Sequence, residues 1–295
     1  MEDHTPAACP LCSTSGPPLL YRLSLFSIYR CARCDFVYLW PVPDPDEIRL
    51  LFSDLYAGGS GTLPELRGYY DFCYDDSPSN PLVQLYDGWL AELEKQRGPG
   101  RLLDVGCGTG LSMSVARGRG WSPFGVDECS EALAHARDQF GLEVRQGEFS
   151  GFQSEGQRYD GITMWDIIEH TRQPVELLRA ARECLSPDGV LAVSTPNQRS
   201  ILDAVAGGFY RLSGGRIRTP LEKFYIEQHF VYFSPKTLED ALSRAGLRLV
   251  LLRRELTDLR RLTLSPPMRL VLQGLFLGAR LTGLQNRLFA LARRA

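Results

Sequence analysis

The sequence predicts an α/β fold, a doubly wound parallel sheet covered by helices on both faces. Three observations carry this reading. From residue 101 onward, strand-like and helix-like stretches alternate through short connections, a pattern that closes into a parallel sheet. The first strand, RLLDV (101–105), runs directly into a glycine loop, GCGTG at 106–110. The second strand, WSPFGVD, ends on an acid, Asp127. In open sheets of this class, ligands bind beyond the carboxyl ends of the strands, where such loops lie.

Each element has a local reason. After RLLDV, residues 111–118 read as a helix. WSPFGVD is followed by the helix SEALAHARDQF, with Ser130 as its expected N-cap. LEVRQG (142–147) is the third strand and YDGITMWD the fourth. The helix QPVELLRAARECL and the fifth strand GVLAVSTP follow. SPKTLEDALSRAG is a helix with Ser234 as cap and Gly246 as terminator, and LRLVLLRREL is a sixth strand.

Upstream, residues 1–40 form a small module and 41–99 a linker and helical cover. The linker opens with the proline joint WPVPDPDE, where Pro41, Pro43 and Pro45 favour extended backbone. A short amphipathic helix at 46–56, a glycine-rich loop at 57–61 and a helix at 80–97 complete it. The sheet domain is expected over 100–265, interrupted at 198–233 by a basic, aromatic-rich excursion. Residues 266–295 carry five arginines and no acid, and Leu277, Leu281, Leu284, Leu288 and Leu291 fall at spacings of four and three. That spacing predicts an amphipathic basic helix.

Composition narrows the function. Of the 295 residues, 44% are apolar and 23% charged, as in an ordinary globular chain. A net charge of −2 supplies no basic field for nucleic acid, and residues 1–40 carry only Arg22, Arg30 and Arg33. The first ten residues lack a basic region followed by an apolar one, so no signal peptide is expected. No uncharged apolar run is long enough to span a membrane, which points to the cytoplasm.

The glycine loop follows Gly-x-Gly-x-Gly, with Gly106, Gly108 and Gly110, rather than the Gly-x-Gly-x-x-Gly of a dinucleotide site. Asp127 can accept hydrogen bonds from both hydroxyls of a ribose. Asp104, a carboxylate at the end of a buried strand, is costly without a polar or cationic partner. A ligand with a ribose and a positively charged amino-acid end would satisfy both.

LLDVGCGTG, VDECS, YDGITMWDIIEH and LSPDGVLAVSTPN, in this order across residues 100–255, resemble a class I S-adenosylmethionine-dependent methyltransferase. The resemblance implies a Rossmann-like doubly wound methyltransferase sheet. It implies Asp104, Gly106, Cys107, Gly108 and Gly110 around the methionine part of the cofactor, and Asp127 with Glu128 at the ribose. It further implies Glu148 and Phe149 near the adenine, and Trp165 and Asp166 beside the bound cofactor.

Two Cys-x-x-Cys pairs, Cys9/Cys12 and Cys31/Cys34, have the spacing of a zinc ribbon with four thiolates and no open position. Such a site is structural; a redox role is the competing reading, and His4 is a further candidate ligand. The other four cysteines sit singly in apparent core elements and read as small apolar residues. Ribbons of this kind commonly precede methyltransferases resembling this chain, including deoxysugar C-methyltransferases.

Methyl transfer usually needs a base to deprotonate the acceptor. His170, after the fourth strand, and His229, in the excursion, are candidates; His135 reads as a surface helix residue. WDIIEH is also similar to a segment of ubiquinone-pathway O-methyltransferases. That similarity implies Asp166, Glu169 and His170 as ligands for a divalent ion such as Mg²⁺, the alternative being that Glu169 and His170 cap the next helix. EQHFVYFS resembles the His-Glu-His-Phe-x-Tyr-Phe-Ser stretch of the sugar C-methyltransferases, but Glu227 and Gln228 replace the first His and the Glu. The excursion is read as an acceptor lid holding Tyr225 and His229.

The expectation is therefore a transferase that methylates a small-molecule, sugar or lipid-linked acceptor, on oxygen rather than carbon. A non-catalytic scaffold that binds the cofactor or S-adenosylhomocysteine, and a sugar C-methyltransferase, are the alternatives. No nucleic-acid partner is expected. The tail at 266–295 is read as packing on the domain or on a second subunit, or as touching a membrane surface peripherally.

Overall fold

The computed structural model describes residues 8–56, 70–149 and 156–295. His4 and the glycine-rich loop at 57–61 lie outside the described residues. The N-terminal module is an antiparallel meander of β1 (Leu19–Arg22), β2 (Ser27–Arg30) and β3 (Val37–Trp40). A fourth strand, β9 (Val231–Tyr232), comes from the excursion and pairs with β3, giving the order β1-β2-β3-β9. Ile28, Phe36, Val37 and Phe233 are fully buried at this junction, so the module is packed onto the main domain.

Two helices lead to the main sheet, α1 (Pro45–Tyr56) and α2 (Pro81–Gln96). Asn80 starts α2 by accepting from the Leu82 N–H at 2.8 Å, and Pro81 fits the first turn, where no N–H is needed. The main sheet then takes β4 (Arg101–Val105), β5 (Ser122–Asp127), β6 (Glu143–Gln146), β7 (Tyr159–Trp165), β8 (Leu185–Pro196), β10 (Leu247–Glu255) and β11 (Arg287–Arg294). Their order is β10-β11-β8-β7-β4-β5-β6. Pairings from β8 through β6 are parallel, whereas β11 runs antiparallel to both neighbours.

Helices α3 (Leu111–Gly118), α4 (Ser130–Phe140), α5 (Pro174–Cys184) and α8 (Pro235–Arg244) connect the strands as the alternation predicts. The excursion contributes α6 (Ile201–Leu212) and the single turn α7 (Thr219–Glu222). Ser234 caps α8 through a reciprocal bond with Thr237. Ser130 does not cap α4: the cap position is Cys129, with no side-chain bond of its own, and the Asp127 carboxylate accepts its N–H instead.

The tail departs most from expectation. It is helical only over α9 (Pro266–Thr282), which stops at Gly283 in the left-handed region (φ 73°). Residues 287–294 are not helix but a strand inserted between β8 and β10. Leu288, Ala290 and Ala292 bury against one face of the sheet, and Phe289 and Leu291 against the other. An interior strand covered on both faces is apolar at every position, so its leucines also satisfied a helical spacing. Leu284, Leu288 and Leu291 therefore do not extend the face begun by Leu277 and Leu281.

Candidate active site

The carboxyl ends of β4, β5 and β7 surround the glycine loop. Gly106, Gly108 and Gly110 have φ of 70°, 50° and 80°, a region other residues enter at a cost. Space imposes the same choice, because a Cβ on Gly106 would meet Ile167 and one on Gly108 the Tyr56 hydroxyl. The Gly106 and Cys107 N–H groups donate to the Val126 carbonyl at 2.8 and 3.2 Å. Asp127 braces the other side: Oδ2 accepts from Gly108 N–H and Oδ1 from Cys129 N–H, both at 2.8 Å. Burial raises its carboxyl, and those N–H groups oppose the rise.

Asp104 finds its partners inside the protein. It is 1% exposed and accepts from the Ser112 hydroxyl of α3 and from Thr163 Oγ1 of β7 at 2.6 Å. Burial pushes its carboxyl up to about 6, against the pull of these two hydroxyls. It thus pins the loop to the strand beside it, a role the sequence did not show. Cys107 offers the loop only its backbone. Its side chain turns into a cluster with Met113 and Leu133, filling the space left at Gly125. Glu128 and Glu148 are exposed, and Phe149 is buried.

Sequence reasoning missed the cover over this loop. Tyr56, the last residue of α1, places its hydroxyl against Gly108, with its backbone carbonyl held by Tyr74 Oη at 2.9 Å. Thr109 Oγ1 donates to the Cys73 carbonyl at 2.6 Å. On the β7 side, Trp165 stacks on Trp89 at 4.9 Å and lies 6.3 Å from Phe289 of β11.

Asp166 follows β7 with φ 57°. Its carboxylate is held by Arg287 of β11 at 2.5 Å and by Ser194 Oγ at 3.1 Å. Burial works to raise this carboxyl, but the Arg287 charge outweighs it and keeps the group below the ordinary carboxylate range. The expected ligand trio of Asp166, Glu169 and His170 is not what the fold assembles, since Asp166 is committed to Arg287. Glu169, His170 and His229 meet instead, with ligand atoms within 4.8 Å of one another. Two imidazoles and one carboxylate do not suit Mg²⁺, which favours oxygen ligands.

Glu169 is 1% exposed. Burial, reinforced by the Asp166 charge, raises its carboxyl well above the usual range, and Oε2 accepts from Thr195 Oγ1 at 2.9 Å. His170 Nδ1 lies 2.7 Å from the Gln228 carbonyl. A carbonyl can only accept, so Nδ1 carries the proton and Nε2 is the basic nitrogen. Burial lowers the pKa of His170, and that of His229 falls well below the ordinary value through burial and the neighbouring imidazole. The two rings lie 4.8 Å apart, edge to face, and Phe52 of α1 packs on His170 at 5.3 Å. His135, expected on a helix surface, is half-buried against the glycine loop instead, its Nδ1 3.3 Å from the Thr109 carbonyl and its ring 4.8 Å from that of Tyr74.

Tyr225 does not join the histidines. It is 1% exposed, donates to Asp203 Oδ1 at 2.6 Å, and packs on Tyr232 and Tyr21 at 4.7 and 5.7 Å. It belongs to an aromatic seam between the N-terminal module and the excursion. That seam is short in sequence from the site: Leu39 N–H of β3 donates to the Phe230 carbonyl at 3.0 Å, one residue from His229.

In the module, the sulfurs of Cys9 and Cys34 are 3.7 Å apart and those of Cys12 and Cys31 3.5 Å. All four thiols are free and gather within 4.8 Å. A tetrahedron with metal–sulfur bonds of about 2.3 Å has edges of about 3.8 Å, so the cluster fits a Zn²⁺ ion.

The strand order and the glycine loop with its acids define the class of protein: the fold is that of the class I S-adenosylmethionine-dependent methyltransferases. A family model described as a methyltransferase domain matches residues 83–252, more than half of the chain, and the chain belongs to that family. Among its relatives, the ubiquinone biosynthesis O-methyltransferase of Azorhizobium caulinodans is 34% identical over 120 residues, covering 38% of this chain and 47% of that protein. The protein of that description from Cereibacter sphaeroides (strain ATCC 17025) is 32% identical over 154 residues, 50% of this chain and 60% of its own. The chain thus spans about half the length of the curated relatives it matches. The structure of magnesium protoporphyrin IX methyltransferase from Synechocystis, with bound S-adenosylhomocysteine, superposes with a TM-score of 0.54 at 14% identity, covering 85% of this chain and all of that one (100%). The 1,6-didemethyltoxoflavin-N1-methyltransferase of Burkholderia thailandensis gives 0.51 at 16% identity, covering 94% and 99%. These two likenesses concern the fold alone.

Proposed function

We propose that the chain transfers a methyl group from S-adenosylmethionine to a hydroxyl of a small-molecule acceptor, with His170 as the base. When bound, the cofactor supplies an electrophilic methyl carbon on a sulfonium. Gly106, Gly108 and Gly110 let the backbone approach it closely, and Asp127, which braces the loop with one bond to each oxygen, accepts from its ribose hydroxyls with the remaining lone pairs. Trp165 and Asp166 line the approach, with Asp166 kept ionised by Arg287. His170 Nε2 accepts the acceptor's proton, and His229 packs edge-on against it.

The observation that carries this reading is the fixed tautomer of His170: Nδ1–H is held by the Gln228 carbonyl at 2.7 Å, so the basic nitrogen of the neutral imidazole is Nε2. The relatives named above support oxygen as the methylated atom. Cys9, Cys12, Cys31 and Cys34 are assigned to a structural zinc ion that stiffens the ribbon over 1–40, and with it β9 and His229. The excursion at 198–233 is assigned as the acceptor lid. Among the described residues no helix is long and apolar enough to cross a membrane, and the cytoplasm is proposed as the compartment.

The test is transfer of labelled methyl from the cofactor into catechols, phenols and aliphatic alcohols, with wild type and His170→Ala. Transfer to a hydroxyl acceptor that falls by about 10²-fold or more in the variant supports the assignment. Binding of S-adenosylhomocysteine without transfer to any acceptor class supports the scaffold alternative. Label on carbon favours the sugar C-methyltransferase reading.

A further inference from the structure

We propose that the outward faces of α6 and α9 form a docking surface for an anionic lipid bilayer. Helix α9 has 17 residues, of which only Phe276 and Ala279 are buried. Its solvent face is apolar: Leu270 is 71% exposed, Val271 55%, Leu277 61% and Leu281 81%. Leu270, Gly274, Leu277 and Leu281 follow the spacing of one helical stripe, so the side turned to water is the one that would ordinarily be turned inward. Helix α6 packs alongside, with Ile201 against Gly278. It adds Phe209 at 50% and Leu212 at 90% exposure. Among the described residues nothing covers these side chains, and exposed apolar residues on this scale mark an interaction site.

Charge selects the occupant. The exposed charges on α6, on the turn that follows it and on α9 are Arg211, Arg216 and Arg280. No acid occurs between residues 204 and 221 or between 259 and 295. A second copy of this chain, docked face to face, would offer these arginines no acid from the same two segments to pair with. An anionic bilayer meets both demands, since its acyl region takes up the leucines and its phosphates pair with the guanidinium groups. Helix α6 belongs to the excursion assigned as the acceptor lid, but Leu277 and Leu281 of α9 lie outside it, so vesicle binding read at α9 stands or falls separately from the proposed reaction.

The experiment is sedimentation of the 295-residue chain with vesicles of phosphatidylcholine mixed with phosphatidylglycerol, and with phosphatidylcholine alone. The expected result is pelleting with the mixed vesicles, weakening with added salt as screening shortens, and much less pelleting with phosphatidylcholine alone. Leu277→Glu/Leu281→Glu should lower the bound fraction by about tenfold or more, with circular dichroism and melting temperature unchanged because both side chains are exposed. Recovery of the wild-type chain in the supernatant, or equal pelleting of the variant, overturns the proposal. So does a variant that becomes monomeric from a dimer while wild type ignores vesicles, since the face then joins two copies.

Discussion

Replacing Arg287 by Met tests whether the inserted strand β11 is part of the site. The guanidinium is almost wholly buried, 8% exposed, and bonds an Asp166 carboxylate that is 33% exposed. It also lies 5.6 Å from the Trp89 ring. Methionine keeps the strand, the length and the contact with the indole, so the loss is concentrated in the ion pair. Removing one partner of a buried pair costs about 3–5 kcal/mol. Because Asp166 retains some access to water, the lower end, about 3 kcal/mol, applies. In a chain of this size that lowers the melting temperature by about 6–12 °C.

The pH dependence has a defined sign. In the wild-type chain Asp166 sits below its ordinary range, so it contributes stability above the unfolded-state pKa of about 3.9 and loses it as pH falls through the lower folded value. In Arg287→Met only the Arg261 charge and the Ser194 hydroxyl still oppose burial, so the carboxyl rises and its penalty, fullest at neutral pH, fades as acid protonates it. The stability gap between the two chains should be widest near about pH 7 and narrow toward about pH 4. Adding Asp166→Asn should restore part of the loss by removing the stranded charge. Urea melts of the three chains at both pH values read all of this. A gap under about 0.5 kcal/mol, or one that does not change with pH, refutes the argument.

Further outcomes follow from the same geometry. Transfer activity should rise with pH through a pKa below the ordinary histidine value and then level off, because burial keeps His170 neutral into mildly acidic solution; a limb above that value contradicts the assignment. Glu169→Gln should retain the fold and stay within about threefold of wild-type activity, since burial already opposes charge on this carboxyl and the amide keeps its shape. Total loss of activity with the fold intact would point to metal ligation by Glu169. Cys9→Ser should release bound zinc, measured by metal analysis, and loosen β3 and β9, measured by hydrogen exchange at Tyr38 and Val231. Unaltered zinc content would remove the ribbon assignment.

The alternation from residue 101 was legible because each strand is bounded by its own turn signals and each helix carries one apolar face. The glycine loop was legible because a positive-φ turn admits few other residues. What the sequence could not show lies in long-range pairs. Arg287 and Asp166 are 121 residues apart, and nothing local marks the arginine as anything but one of five in a basic tail. The strand at 287–294 was misread because leucines at spacings of three and four fit both a helical face and a strand buried on both sides. Asp104 was correctly flagged as needing a partner, but Ser112 and Thr163 supply it from neighbouring elements. Tyr225 carried a plausible chemistry for a lid; its burial against Asp203 depends on the packing of the N-terminal module, which sequence does not display.

The central claim is that the loop and Asp127 form a cofactor site. Calorimetric titration of S-adenosylhomocysteine into wild type and Asp127→Asn tests it most directly. One site should bind in the wild type, and affinity should fall by about tenfold or more in the variant, the loss of one to two hydrogen bonds to a charged acceptor, with the melting temperature measured alongside. No binding to the wild-type chain, or equal affinity in a folded variant, would contradict it.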